Sequence, residues 1–235
     1  MRAAIAGRGT RLGGAEAGTA TLAVVGAVAL ILLFSALAAA APAQEGGSCL
    51  ACHQGLEKEP GPVAGWSVSV HKSAGVGCDS CHGGDPSLAA GFVGVPAKKD
   101  VPALCGSCHS DVVKMRQYGL PTDQLAKYRE SVHGKRLEEG DEGVATCFDC
   151  HGGHAIRPKD DPQSTVYPTN VPQTCASCHA DTARMGAYRI PTDQYEQYTK
   201  SVHGVILLQK QDRRAPNCAD CHGTHGATPP GIDEV

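Results

Sequence analysis

Cys105-Gly-Ser-Cys108-His109 opens a stretch that runs through Pro121-Thr-Asp-Gln124, Ser131-Val132-His133 and Cys147-Phe-Asp-Cys150-His151 to His154. The run returns 70 residues later as Cys175-Ala-Ser-Cys178-His179, Pro191-Thr-Asp-Gln194 and Ser201-Val202-His203. It closes with Cys218-Ala-Asp-Cys221-His222 and His225, where the offset has become 71. Met115 matches Met185, Tyr118 matches Tyr188 and Tyr128 matches Tyr198. Self-similarity at a fixed offset marks tandem structural units. A shortened copy lies upstream, at residues 49–85: Cys49-Leu-Ala-Cys52-His53, Ser69-Val70-His71 and Cys78-Asp-Ser-Cys81-His82. It ends in His82-Gly-Gly-Asp85, with Asp85 where the other copies have His154 and His225.

All 12 cysteines fall in these six C-x-x-C-H motifs. A disulfide framework suits a cysteine-rich exported chain, but it does not ask for His after every second Cys. Zinc ribbons use C-x-x-C pairs as well, again with no call for that His. The pattern that does is covalent haem attachment. Two thiols add to the two vinyl groups of one haem, and the adjoining imidazole reaches the iron. One motif is a moderate signal; six, with no cysteine left over, point to six c-type haems. Cys49, Cys52, Cys78, Cys81, Cys105, Cys108, Cys147, Cys150, Cys175, Cys178, Cys218 and Cys221 are the attachment residues. His53, His82, His109, His151, His179 and His222 are the proximal ligands.

Six six-coordinate irons need six more ligands, and five histidines remain: His71, His133, His154, His203 and His225. Three sit in Ser-Val-His and two sit three residues after a motif histidine. Recurrence in such contexts reads as distal ligation. One ligand is then missing, and Asp85 locates the gap in the N-terminal unit, on either of its haems. Met115 or Met185, water, an added small molecule or the mature N-terminal amine could fill it, although a matched pair of methionines is read more simply as packing.

The chain begins with Arg2, Arg8 and Arg11, then a small and apolar stretch over residues 22–41 ending in Ala41-Pro42-Ala43. This reads as a signal peptide, residues 1–43, with an uncleaved membrane anchor as the alternative. Modules follow at 44–100 (shortened), 101–172 and 173–235. Export places the chain in the periplasm, or at the periplasmic side of the inner membrane if anchored. A formal charge of -3 offers no basic surface for nucleic acid. With only 3 Phe and 1 Trp among 235 residues, aromatic packing cannot supply the core, so the porphyrins must. The expected fold is mainly α with extensive loop: short helices wrapped around a compact haem stack, in three tandem dihaem modules.

Locally, residues 105–118 read as one helix ending at Gly119-Leu-Pro121. Thr122 or Asp123 then caps a second helix reaching about Glu138, with Leu125, Tyr128, Val132 and Arg136 on one stripe. The next unit repeats this with Tyr195, Tyr198, Val202 and Ile206. Residues 83–103 and 155–173 read as loops. Glu138 to Glu142 reads as a solvated acidic turn, Arg213-Arg214 as a surface turn, and Trp66 as packing on a haem.

The six motifs with the Ser-Val-His and His-Gly-x-His elements, spanning residues 49–225, resemble the periplasmic multihaem cytochromes c. That group includes the class III and the NapC/NirT-like proteins. The resemblance implies bis-histidine, low-potential haems relaying electrons in anaerobic respiration, between a quinol-oxidising membrane complex and a terminal reductase. Asp85 departs from it. The expected function is therefore electron carriage rather than catalysis. The alternatives are reduction of a small oxyanion at an N-terminal haem lacking a distal histidine, and a haem filament.

Overall fold

The computed structural model describes residues 47–53, 61–88 and 90–229. The signal or anchor segment lies outside them. Among the described residues no helix is long and apolar enough to cross a membrane. The chain is helical and loop-rich, with no strand among the described residues beyond an isolated bridge between Gly84 and Phe92.

The two long repeats fold alike. Val101–His109 and Val171–His179 carry the first motif of each, and Pro102 and Pro172 near their starts lack an N–H that no helix bond would have used. These starts shorten both expected loops by three residues. The single helix expected over 105–118 is two. The Asp111 carboxylate accepts the N–H groups of Val113 and Lys114, ending one helix and opening Val112–Arg116. Asp181 does the same for Thr182–Gly186. Asp caps because its oxygen satisfies the first, otherwise orphaned, donors.

The second expected helix is also broken. Gln124–Glu130 stops at Ser131, whose backbone is extended (φ -69°, ψ 163°), and Val132–Glu138 begins there. Ser131 Oγ donates to the Tyr128 carbonyl at 2.6 Å and accepts the Gly134 N–H at 3.0 Å. The equivalent Ser201 bonds are 2.7 and 3.1 Å. The stripe through Val132 is therefore interrupted. Downstream, Gln194–Lys200 is followed by Val202–Gly204 and a π-helical turn, Val205–Gln209. Asp123 precedes Gln124–Glu130 without a side-chain cap bond.

Few side chains are fully packed. Val101, Met115, Leu137, Val144, Ala176, Met185, Leu207 and Ala215 are the buried hydrophobic residues among those described. Met115 and Met185 thus behave as packing residues. Large apolar side chains beside the motifs, including Phe92, Val112, Val113 and Phe148, remain exposed. Trp66 donates its indole N–H to the Val76 carbonyl at 3.0 Å under the Lys72 ammonium. The acidic turn is partly engaged: Asp141 accepts the Tyr188 hydroxyl at 3.0 Å, tying the second repeat to the third. Arg214 pairs with Asp212, and Arg213 lies over the Tyr167 ring.

Candidate haem-binding site

Each motif sits on a short helix that ends at its histidine. Cys147–His151 starts with a capping box in which Thr146 N–H donates to Asp149 at 2.7 Å. Asn217 and Asp220 repeat it for Cys218–His222, at 2.8 Å. Both helices stop at a glycine with positive φ, Gly152 at 82° and Gly223 at 83°, which turns the chain away just past the imidazole. None of the 12 cysteines is in a disulfide.

The thiols follow one another in sequence order. Cys105 and Cys147 share a hydrogen bond that raises the first thiol pKa and lowers the second. Cys175 and Cys218 do the same in the next repeat. Between repeats, burial first, and then the charges of Cys105 and Cys108, push the Cys81 thiol up. Burial, Asp149 and Cys178 act likewise on Cys150. Burial also raises the Cys78 thiol, with Cys49 adding to it. Electrostatic influence falls off with distance, so each motif lies close to the next one in sequence.

The imidazoles come in facing pairs. His82 and His154 lie 6.0 Å apart between ring centres and within 9° of parallel. His151 and His225 are 6.1 Å apart and 11° from parallel. His71 with His109, and His133 with His179, are each 6.1 Å apart with rings crossed at 61° and 49°. An ion held by two imidazole nitrogens at about 2 Å each needs ring centres roughly 6 Å apart. Among the described residues no group of three or more His, Cys, Asp or Glu is gathered for a metal. A donor set of two suits an iron whose other positions are filled by a macrocycle. The flanking exposed apolar side chains suit the same flat, greasy group.

Protonation supports ligation. Burial holds His71, His109, His133, His179 and His225 below the usual imidazole pKa. Burial, then His225 and His109, bring His151 down to about 4. A neutral ring keeps the lone pair that a metal takes. His82 Nδ1 donates to the Gly94 carbonyl at 3.0 Å, and His222 Nδ1 to the Thr228 carbonyl at 2.9 Å. That leaves Nε2 of each free to ligate.

Residues 70–180 match the cytochrome c3 family, and residues 34–83 match the family of cytochrome c554 and c-prime. The chain is a multihaem c-type cytochrome. It is similar to the C-type polyheme cytochrome OmcC of Geobacter sulfurreducens, 27% identical over 165 residues that make up 56% of this chain and 20% of that protein. The cytochrome therefore matches about a fifth of the length of this curated relative. No solved structure matches.

The pairing bears on which N-terminal motif lies without a second histidine. Asp85 does not leave His82 bare, because His154 of the next module faces it. The facing pairs cross between modules: His71 and His133 each face the first motif of the following module, and His154 and His225 the second motif of the preceding one. Among the described residues, His53, His203 and His222 have no facing imidazole, and all three are exposed. The repeat itself carried no signal for this crossing, since His71 and His154 occupy fixed positions within their own modules. Direction could not be read from spacing alone.

Proposed function

We propose that the cytochrome carries six haems, one per motif, and works as a periplasmic electron relay between a quinol-linked membrane donor and a terminal reductase or other redox protein. The four facing imidazole pairs carry this reading. Haem iron supplies one-electron chemistry by cycling between ferric and ferrous states. The protein's part would be to hold six attachment sites close to one another in sequence order and to offer two imidazoles to the iron at four of them. Closed positions leave no room for substrate, which favours carriage over catalysis. The families matched are electron carriers, in keeping with this. Pyridine haemochrome and intact mass of the purified protein should give six haems per chain, and fewer would contradict the reading.

A second reading is reduction of a small oxyanion at the first motif, favoured by the exposed, unpaired His53. Nitrite, sulfite or hydroxylamine should then shift a high-spin signal and be turned over by reduced protein.

A further inference from the structure

Two of the facing imidazole pairs are near copies of each other. His82 with His154, and His151 with His225, stand 6.0 and 6.1 Å apart and lie 9° and 11° from parallel. The same ligands in the same geometry give two irons no reason to hold an electron differently. The charge around the two motifs does differ.

Cys147–His151 carries Phe148 and Asp149 between its cysteines, and together they hold Lys98. The Lys98 ammonium lies 3.3 Å from Asp149 Oδ2 and 5.7 Å from the centre of the Phe148 ring. It comes from another element, the 3₁₀ turn Lys98–Asp100 at the close of the first module. The Lys98 and Asp149 side chains are only 24% and 23% exposed, so salt and water screen them poorly. Asp79 and Ser80 stand between the cysteines of the other motif. Among the described residues no lysine or arginine pairs with Asp79. Cys81 is exposed there, where Cys150 is half-buried.

Local folding does not require the lysine. In the third module Asp220 closes the same capping box with Asn217. Yet Pro168 stands 70 residues after Lys98, and Asp220 is in no ion pair among the described residues. The helix therefore forms without a cation beside it.

We propose that Lys98 raises the reduction potential of the haem on Cys147 and Cys150 above that of the haem on Cys78 and Cys81, so that electrons settle first beside Lys98. This rests on reading the imidazole pairs as axial pairs of attached haems. An added electron is a negative charge, and a cation held near it in a poorly hydrated site lowers its energy. Lys98 also offsets the Asp149 carboxylate, which would otherwise oppose the electron. At the other motif Asp79 opposes it without compensation, and water comes closer.

The test is a redox titration of the holoprotein followed by low-temperature EPR. Near-parallel imidazoles act on the same iron d orbital and split it from its neighbour, which gives a rhombic low-spin signal. Crossed imidazoles, as at His109 and His179, give a single broad low-field line instead. The rhombic signal should be lost in two steps as the potential falls. His154→Ala should remove the lower step and keep the upper. Lys98→Gln should move the upper step down toward the lower, and Lys98→Arg should leave it in place, with far-UV circular dichroism unchanged in both. The proposal is overturned if Lys98→Gln moves neither step, if Lys98→Arg moves the upper step as far as Lys98→Gln does, or if His154→Ala removes the upper step. A wild type without the rhombic signal would overturn the imidazole pairing and this proposal with it, and fewer than six haems by pyridine haemochrome would defeat the six-haem reading. Six haems and a rhombic signal leave both of those standing whatever Lys98→Gln does.

Discussion

The second and third modules share a sequence, yet their Ser-Val-His segments meet different fates. Ser131 is fully buried, Val132 bonds across to Ala227, and His133 faces His179. Ser201 makes the same internal bonds, while Val202 and His203 stand in solvent. The difference teaches that a module shapes its histidine by itself but receives its partner from the next. Internal contacts should therefore fail alike in both modules, and partner-dependent effects should appear in the second alone.

The largest effect is expected at the glycine after each histidine. A Cβ on Gly134 would overlap the Tyr128 carbonyl oxygen, and one on Gly204 the Tyr198 oxygen. Gly134→Ala and Gly204→Ala should each cost about 3 kcal/mol in chemical denaturation. Only Gly134→Ala should also alter the EPR spectrum of the monomer. Equal spectral change in both would break the comparison.

Next is the serine cap. Ser131→Ala should cost about 2 kcal/mol, because burial leaves the Gly134 N–H unsatisfied. The less buried Ser201→Ala should cost about 1 kcal/mol by the same measurement. Tyr128→Phe and Tyr198→Phe remove hydrogen bonds of 2.9 and 2.8 Å to the Ala145 and Pro216 carbonyls. Each should cost about 1 kcal/mol, equally in the two modules. The smallest effect is at Lys127, paired with Asp123 at 2.7 Å with both side chains more than half exposed. Lys127→Ala should change stability by less than about 0.5 kcal/mol, and by still less in high salt.

Much of the site was legible because covalent chemistry is local. Two thiols and an imidazole at the C-x-x-C-H spacing declare their purpose within five residues, and the repeat exposed the remaining histidines. Helix ends were less legible. Asp111 and Ser131 look like tolerable helix residues, but each side chain competes for backbone N–H groups and wins, splitting the expected helices in two. The pairing of His154 with His82 was not legible at all. It joins residues 72 apart in sequence, and only the packing of one module on the next sets the distance and the 9° ring angle.

The central claim is that ligands cross between modules, and His154→Ala tests it most directly. Low-temperature EPR of the oxidised holoprotein should show one low-spin iron converted to high spin, at the haem on Cys78 and Cys81, while the His109, His151 and His179 irons keep their signals. An unchanged low-spin spectrum, or loss at the haem on Cys147 and Cys150 instead, would contradict the account.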